Sequence, residues 1–111
     1  MVILLLDQPL FKPGTLVRHR RYDYRGVAVA LDPRCLAPEE WYQTNRTKPK
    51  RDQAWYHVLV HGAGHSTYAA QSSLIADDEA QAVVHPWLRL FFSAFADGRY
   101  QRNDREWPNT W

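Results

Sequence analysis

Arg18, Arg20, Arg21 and Arg25 crowd one short stretch and alternate with His19, Tyr22 and Tyr24. Arg46, Lys48, Lys50 and Arg51 form a second basic cluster. Guanidinium forks match the spacing of phosphate oxygens, and each phosphate neutralised releases counterions. Clusters of this kind therefore suit nucleic-acid backbone. Residues two apart on a strand share a face, so a strand over Thr15–Arg21 presents Arg18 and Arg20 together. The formal charge is only +2, but residues 1–55 carry ten basic and six acidic side chains (net +4) while residues 56–111 carry four and six (net −2). That asymmetry fits an acidic partner for the first half, or simply a solvated face.

Other reactive side chains point to little chemistry. His57, His61 and His65 recur every four residues, but they lie on a strand and its turn. On one strand face His57 and His61 stand about 13 Å apart, too far to ligate one ion. His61 with His65 supplies only two ligands, a weak site, so no metal is expected. Cys35 is the single cysteine, which excludes an internal disulfide and fits a reducing compartment. Glu39-Glu40 and Asp77-Asp78-Glu79 sit in polar segments with nothing to raise a carboxyl pKa. Gly62-Ala63-Gly64 lacks the third glycine and the strand-to-helix setting of a nucleotide loop, and reads as a hairpin turn. No nucleophile elbow occurs. The expectation is a non-enzymatic domain without cofactor.

The elements that must carry these residues follow from periodicity. Thr15–Arg21, Val27–Leu31, Trp55–His61, Ser66–Gln71 and Leu74-Ile75 read as short strands, the first with one wet face. Asp32-Pro33 stops the second, and Pro38-Glu39-Glu40-Trp41 opens a short helix. Arg46–Arg51 reads as an exposed flexible stretch. After His85-Pro86, the residues Leu88, Phe91, Phe92 and Phe95 fall at i, i+3, i+4 and i+7, the apolar stripe of an amphipathic helix, with Asp97-Gly98 as its C-terminal cap. With 111 residues, 45% of them apolar, one core is affordable. The expected organisation is an N-terminal arm or strand over 1–10, one domain over 11–100 and a polar tail over 101–111. Val2–Leu6 is too short to span a membrane, and the arm it forms docks on the domain or on a second copy, which allows a homo-oligomer. A cytoplasmic location is expected.

Phe11-Lys12-Pro13-Gly14-Thr15-Leu16-Val17-Arg18-His19, Tyr22-Asp23-Tyr24-Arg25-Gly26-Val27 and Asp32-Pro33 stand in an order that resembles the opening of a known family. Glu40-Trp41, Asp52–Leu59, Tyr68–Leu74, His85-Pro86, Phe91-Phe92, Phe95 and Gly98-Arg99-Tyr100 continue the likeness. The family is the YccV-like hemimethylated-DNA-binding domain, that of the heat-shock protein HspQ. The resemblance implies a mostly β fold: a small SH3-like antiparallel β-barrel, here with one C-terminal amphipathic helix. It implies no catalytic residues. It also implies either of two roles, binding of double-stranded hemimethylated DNA or service as an adaptor for an ATP-dependent protease or its client. The turn Gly62-Ala63-Gly64-His65 departs from the family in carrying no acidic residue. The residues expected to meet DNA are Arg18, Arg20, Arg21, Arg25, Lys48, Lys50 and Arg51; those expected to meet a protein partner are Trp55, Tyr68 and Trp87.

Overall fold

The computed structural model describes residues 9–108, so the Val2–Leu6 arm and Trp111 lie outside the described residues. Strands β1 (Leu16–His19), β2 (Arg25–Asp32), β3 (Trp55–Val60), β4 (Ser66–Ala70) and β5 (Leu74–Ala76) make one sheet in the order β4-β3-β2-β1-β5. All of its pairings are antiparallel. The five expected strands are all present. The sheet is open, because β4 and β5 are its two edges and do not pair. It is nonetheless strongly curved. One 3₁₀ turn, Gln71–Ser73, joins the two edge strands. A linker of that length reaches about 14 Å, whereas four flat strand spacings span roughly 19 Å.

Curvature gives the sheet an inner face packed by Phe11, Val17, Ala28, Tyr56, Val58, Ala69 and Leu74. Its outer face is covered as well. Leu16, Val27, Val29 and Leu59 pack beneath Val83, Phe91 and Phe92. Trp55, Tyr68 and Ala70 pack beneath Cys35 and Ala37, with Trp41 and Tyr42 against them. Helix α1 (Glu39–Gln43), with Pro38 as its N-cap, belongs to that second cover. The wet face expected of the first strand is therefore absent at its start: Leu16 and Val17 point to opposite faces and both are buried.

The expected C-terminal helix is one turn long. Helix α2 covers Leu88–Phe91, and the chain then becomes extended as β6 (Phe92–Ala96) pairs antiparallel with β7 (Arg99–Arg102). Asp97 (φ 55°) and Gly98 (φ 75°) are both left-handed. That is the geometry of a two-residue hairpin turn, for which Asp-Gly is a favoured sequence, and not of a helix cap. Phe91 and Phe92 remain buried while Phe95 is largely at the surface. The expected polar tail over 101–111 begins within the strand β7. Its Arg102 Nε donates to the Val29 carbonyl at 2.8 Å, at the bulge between Ala28 and Ala30 where the β2–β3 register shifts.

Gly14 fastens this hairpin to the sheet. Its N–H donates to Ala28 O (2.7 Å), and its carbonyl accepts from Tyr100 N–H (2.9 Å). Its φ is +103°, and a Cβ there would lie 2.1 Å from the Tyr100 carbonyl oxygen. Gly14→Ala is expected to lower unfolding free energy by about 2–4 kcal/mol, combining left-handed strain with a displaced hairpin. Urea denaturation checks this, and an unshifted midpoint would show that the junction does not hold the hairpin.

Candidate nucleic-acid interface

His19 closes β1 and shapes the turn after it. Its Nδ1 accepts from the backbone N–H groups of Arg21 and Tyr22, each at 3.1 Å. Its ring stacks on Tyr22 (centroids 4.7 Å) and on Tyr24 (5.1 Å). Burial, then the charge of Arg21, pushes the His19 pKa down, which keeps Nδ1 an acceptor at neutral pH. The turn projects Arg20 and Arg21 into solvent. Both line a cleft of about 320 Å³ together with His19, Thr47, Pro49, Ser72 and Ser73. His19 also lines a trough of about 350 Å³, with Tyr22, Tyr24, Trp41, Asn45, Ser66, Thr67, Tyr68 and Ala69.

The other two arginines of the hairpin are used internally. Arg25 Nε donates to Asp77 (2.8 Å), and its Nη2 donates to the carbonyl of Gln81. Arg18 bridges Asp23 (3.1 Å), Asp77 (3.4 Å) and Glu79 (3.1 Å). The Asp77 side chain is 1% exposed and that of Arg25 11%. Burial alone would raise the Asp77 pKa. The Arg25 hydrogen bond and charge, with Arg18 and the Glu79 backbone, outweigh burial and hold it below the ordinary range.

The second basic cluster divides in the same way. Arg51 donates to the carbonyls of Cys35 and Ala37, meets Glu39 at 3.3 Å, and lies 5.0 Å over the Tyr42 ring. It is a clamp for the outer cover. Lys48 and Lys50 keep exposed side chains. Among the described residues neither they nor Arg20 and Arg21 form a salt bridge. The stretch expected to be flexible is tied down through its backbone: Tyr42 Oη donates to the Lys48 and Pro49 carbonyls, and Trp55 Nε1 to that of Lys50.

Of the three aromatics expected to meet a partner, Trp55 is in the core and Tyr68, also buried, is part of the trough's lining. Trp87 is half-buried and lines a separate apolar cleft of about 330 Å³ with Ser66, Leu90, Phe91, Trp107 and Pro108. His57 is buried between Tyr68 and Trp107, with Asp32 3.4 Å from its Nε2. His61 accepts from Val84 N–H (2.9 Å), and His85 Nε2 meets the His65 carbonyl at 2.9 Å. Among the described residues no three His, Cys, Asp or Glu side chains are grouped to hold a metal ion. No helix among them is long and apolar enough to cross a membrane.

A sequence model described as "Hemimethylated DNA-binding protein YccV like" matches residues 9–99. The chain belongs to the YccV-like family. Over 93 residues it is 33% identical to F-box only protein 21 of Homo sapiens and of Pongo abelii, and equally to that of Mus musculus. Those matches cover 81% of this chain but only 15% of each relative, so the domain is a small part of proteins of that kind. No solved structure gives a significant match.

Within this YccV-like domain, sequence reasoning missed Asp77, the anion that occupies Arg18 and Arg25, and Thr47, Ser72 and Ser73 across from Arg20 and Arg21. The acidic run Asp77-Asp78-Glu79 was the available signal. Only the β1–β5 pairing, Val17 opposite Ala76 and Arg18 opposite Ile75, brings it to the arginines. Because the Asp77 pKa is depressed, its contribution to stability is present above the unfolded value of about 4 and is lost as pH falls through the folded value. Unfolding free energy is therefore expected to decline below pH ~4. Asp77→Asn is expected to cost about 2–3 kcal/mol at pH 7 and to flatten that decline. Denaturation in a pH series measures both, and a wild-type slope in the variant would remove Asp77 from the account.

Proposed function

We propose that this domain binds DNA through phosphates in the cleft beside His19. Arg20 and Arg21 make the contacts, and Lys48 and Lys50 add charge from the segment opposite. The observation that carries this reading is the division of the basic residues. Arg18, Arg25 and Arg51 are held by carboxylates or carbonyls, whereas Arg20 and Arg21 stand exposed on a cleft that the hydroxyl-bearing Thr47, Ser72 and Ser73 also line. Cations already neutralised internally release no counterions from DNA; exposed ones do. Family membership supports DNA as the anion, and the double-stranded hemimethylated form as the duplex to try first. Phosphate contacts carry little sequence information, so discrimination between sequences should be shallow.

A second reading, an adaptor for an ATP-dependent protease, rests on the apolar cleft at Trp87, Leu90, Phe91 and Trp107. Both roles suit the cytoplasm, and the lone buried Cys35 is compatible with a reducing compartment. Trp87→Ala is expected to abolish any acceleration of client turnover while leaving DNA affinity unchanged.

Arg20→Ala and Arg21→Ala are each expected to weaken duplex binding equally across sequences. Each should lower the slope of log affinity against log salt by about one unit. Arg18→Ala should act chiefly on stability, leaving the slope of the folded protein unchanged. Fluorescence anisotropy over a salt series decides it. Unchanged slopes for Arg20→Ala and Arg21→Ala would exclude this cleft as the phosphate site.

A further inference from the structure

We infer that the trough that shares the His19 wall receives an unpaired nucleobase whose own phosphate lies in the Arg20–Arg21 cleft. The inference rests on the DNA-backbone reading and deepens it. The two cavities share the His19 wall, and Arg20, Arg21 and Tyr22 are consecutive, so one nucleotide can straddle the boundary with its phosphate and base on opposite sides. Tyr22 is 56% exposed although one side of its ring rests on His19. Tyr24 backs the same stack and is fixed by its hydroxyl 2.7 Å from that of Thr67. A volume of about 350 Å³ falls within the range of small-molecule sites. Asn45, Ser66 and Thr67 add polar groups to an otherwise aromatic lining, the mixture that pairs stacking with edge hydrogen bonds.

Aromatic troughs also receive cations, and charge argues against that occupant here. Among the described residues, none that lines the trough is acidic. The Arg21 guanidinium already lies 6.0 Å from the Tyr22 centroid. An incoming ammonium would meet arginine charge without a carboxylate to offset it. An uncharged planar base meets no such repulsion, and its phosphate is attracted. A base stacked within a duplex cannot enter, so the occupant comes from a single strand or is displaced from its pair.

The experiment uses the full chain and three labelled duplexes of one sequence: fully matched, carrying one unpaired base, and carrying an abasic site at that position. The unpaired-base duplex is expected to bind about tenfold more tightly than the abasic one, a ratio in the range of a single stacking contact. Tyr22→Ala is expected to bring that ratio towards one, and Tyr22→Phe to preserve it. The exposed position of Tyr22 lets both variants fold, which circular dichroism checks. Equal affinity for all three duplexes, with a normal salt slope, overturns the base site and leaves the backbone reading standing. Absence of salt-dependent binding to any duplex overturns both. Competition by a trimethyl-lysine peptide that is lost in Tyr22→Ala would assign the trough to a cationic protein segment and overturn the inference.

Discussion

Both faces of the β2–β3 pair are shut off from water, and the rest of the molecule is arranged to keep them so. Val27 and Leu59 are opposite one another on the outer face; Ala28 and Val58 are opposite one another on the inner face. All four are fully buried. A sheet of five short strands cannot cover two faces with its own residues. Curvature closes the inner face by bringing β4 and β5 towards each other, and added chain must close the outer one. Full burial of a valine or leucine side chain contributes roughly 1.5–3 kcal/mol, enough over several residues to recruit both covers. The C-terminal hairpin covers one end of the outer face and the Cys35–Tyr42 excursion covers the other.

This double coverage decides where polar function can sit. Apart from His57, the interiors of the central strands β2 and β3 are apolar on both sides, so charged groups collect at strand ends and on the turn between β1 and β2. There, paired and unpaired charges are sorted by one buried carboxylate. Asp77 is too deeply placed to stand alone, and Arg25 and Arg18 satisfy it. Their loss from the surface leaves Arg20 and Arg21 as the exposed pair of the hairpin, held in place by a neutral His19 that accepts two backbone hydrogen bonds. The anchoring ion pairs and the proposed phosphate contacts thus share one turn. Its rigid side anchors the fold, and its wet side faces the cleft and the trough.

The five strands of the main sheet, the turn at Gly62-Ala63-Gly64, the short helix after Pro38 and the family were legible from residue order, because strand alternation and turn chemistry are local. The segment after His85 shows how a local pattern can mislead. Leu88, Phe91, Phe92 and Phe95 have helical spacing, yet aromatic residues also favour strands, and Asp-Gly serves either to end a helix, with the glycine alone left-handed, or to turn a hairpin, with both residues left-handed. What decides is distant. Tyr100 N–H finds the Gly14 carbonyl, and Arg102 finds the bulged Val29 carbonyl 73 residues away, bonds that an extended β7 delivers.

By itself the sequence determined the five strands of the main sheet and that basic residues gather near the first hairpin. Tertiary structure alone decided which of these groups meet solvent. Arg18 and Asp77 are 59 positions apart, and Tyr68 and the Leu36 N–H that its hydroxyl accepts are 32 apart. A charge is available to a partner only if no internal counter-charge reaches it. A tryptophan is a contact residue only if no loop folds over it. Both conditions concern separations through space, which strand register sets and which neighbouring residues in the chain do not encode.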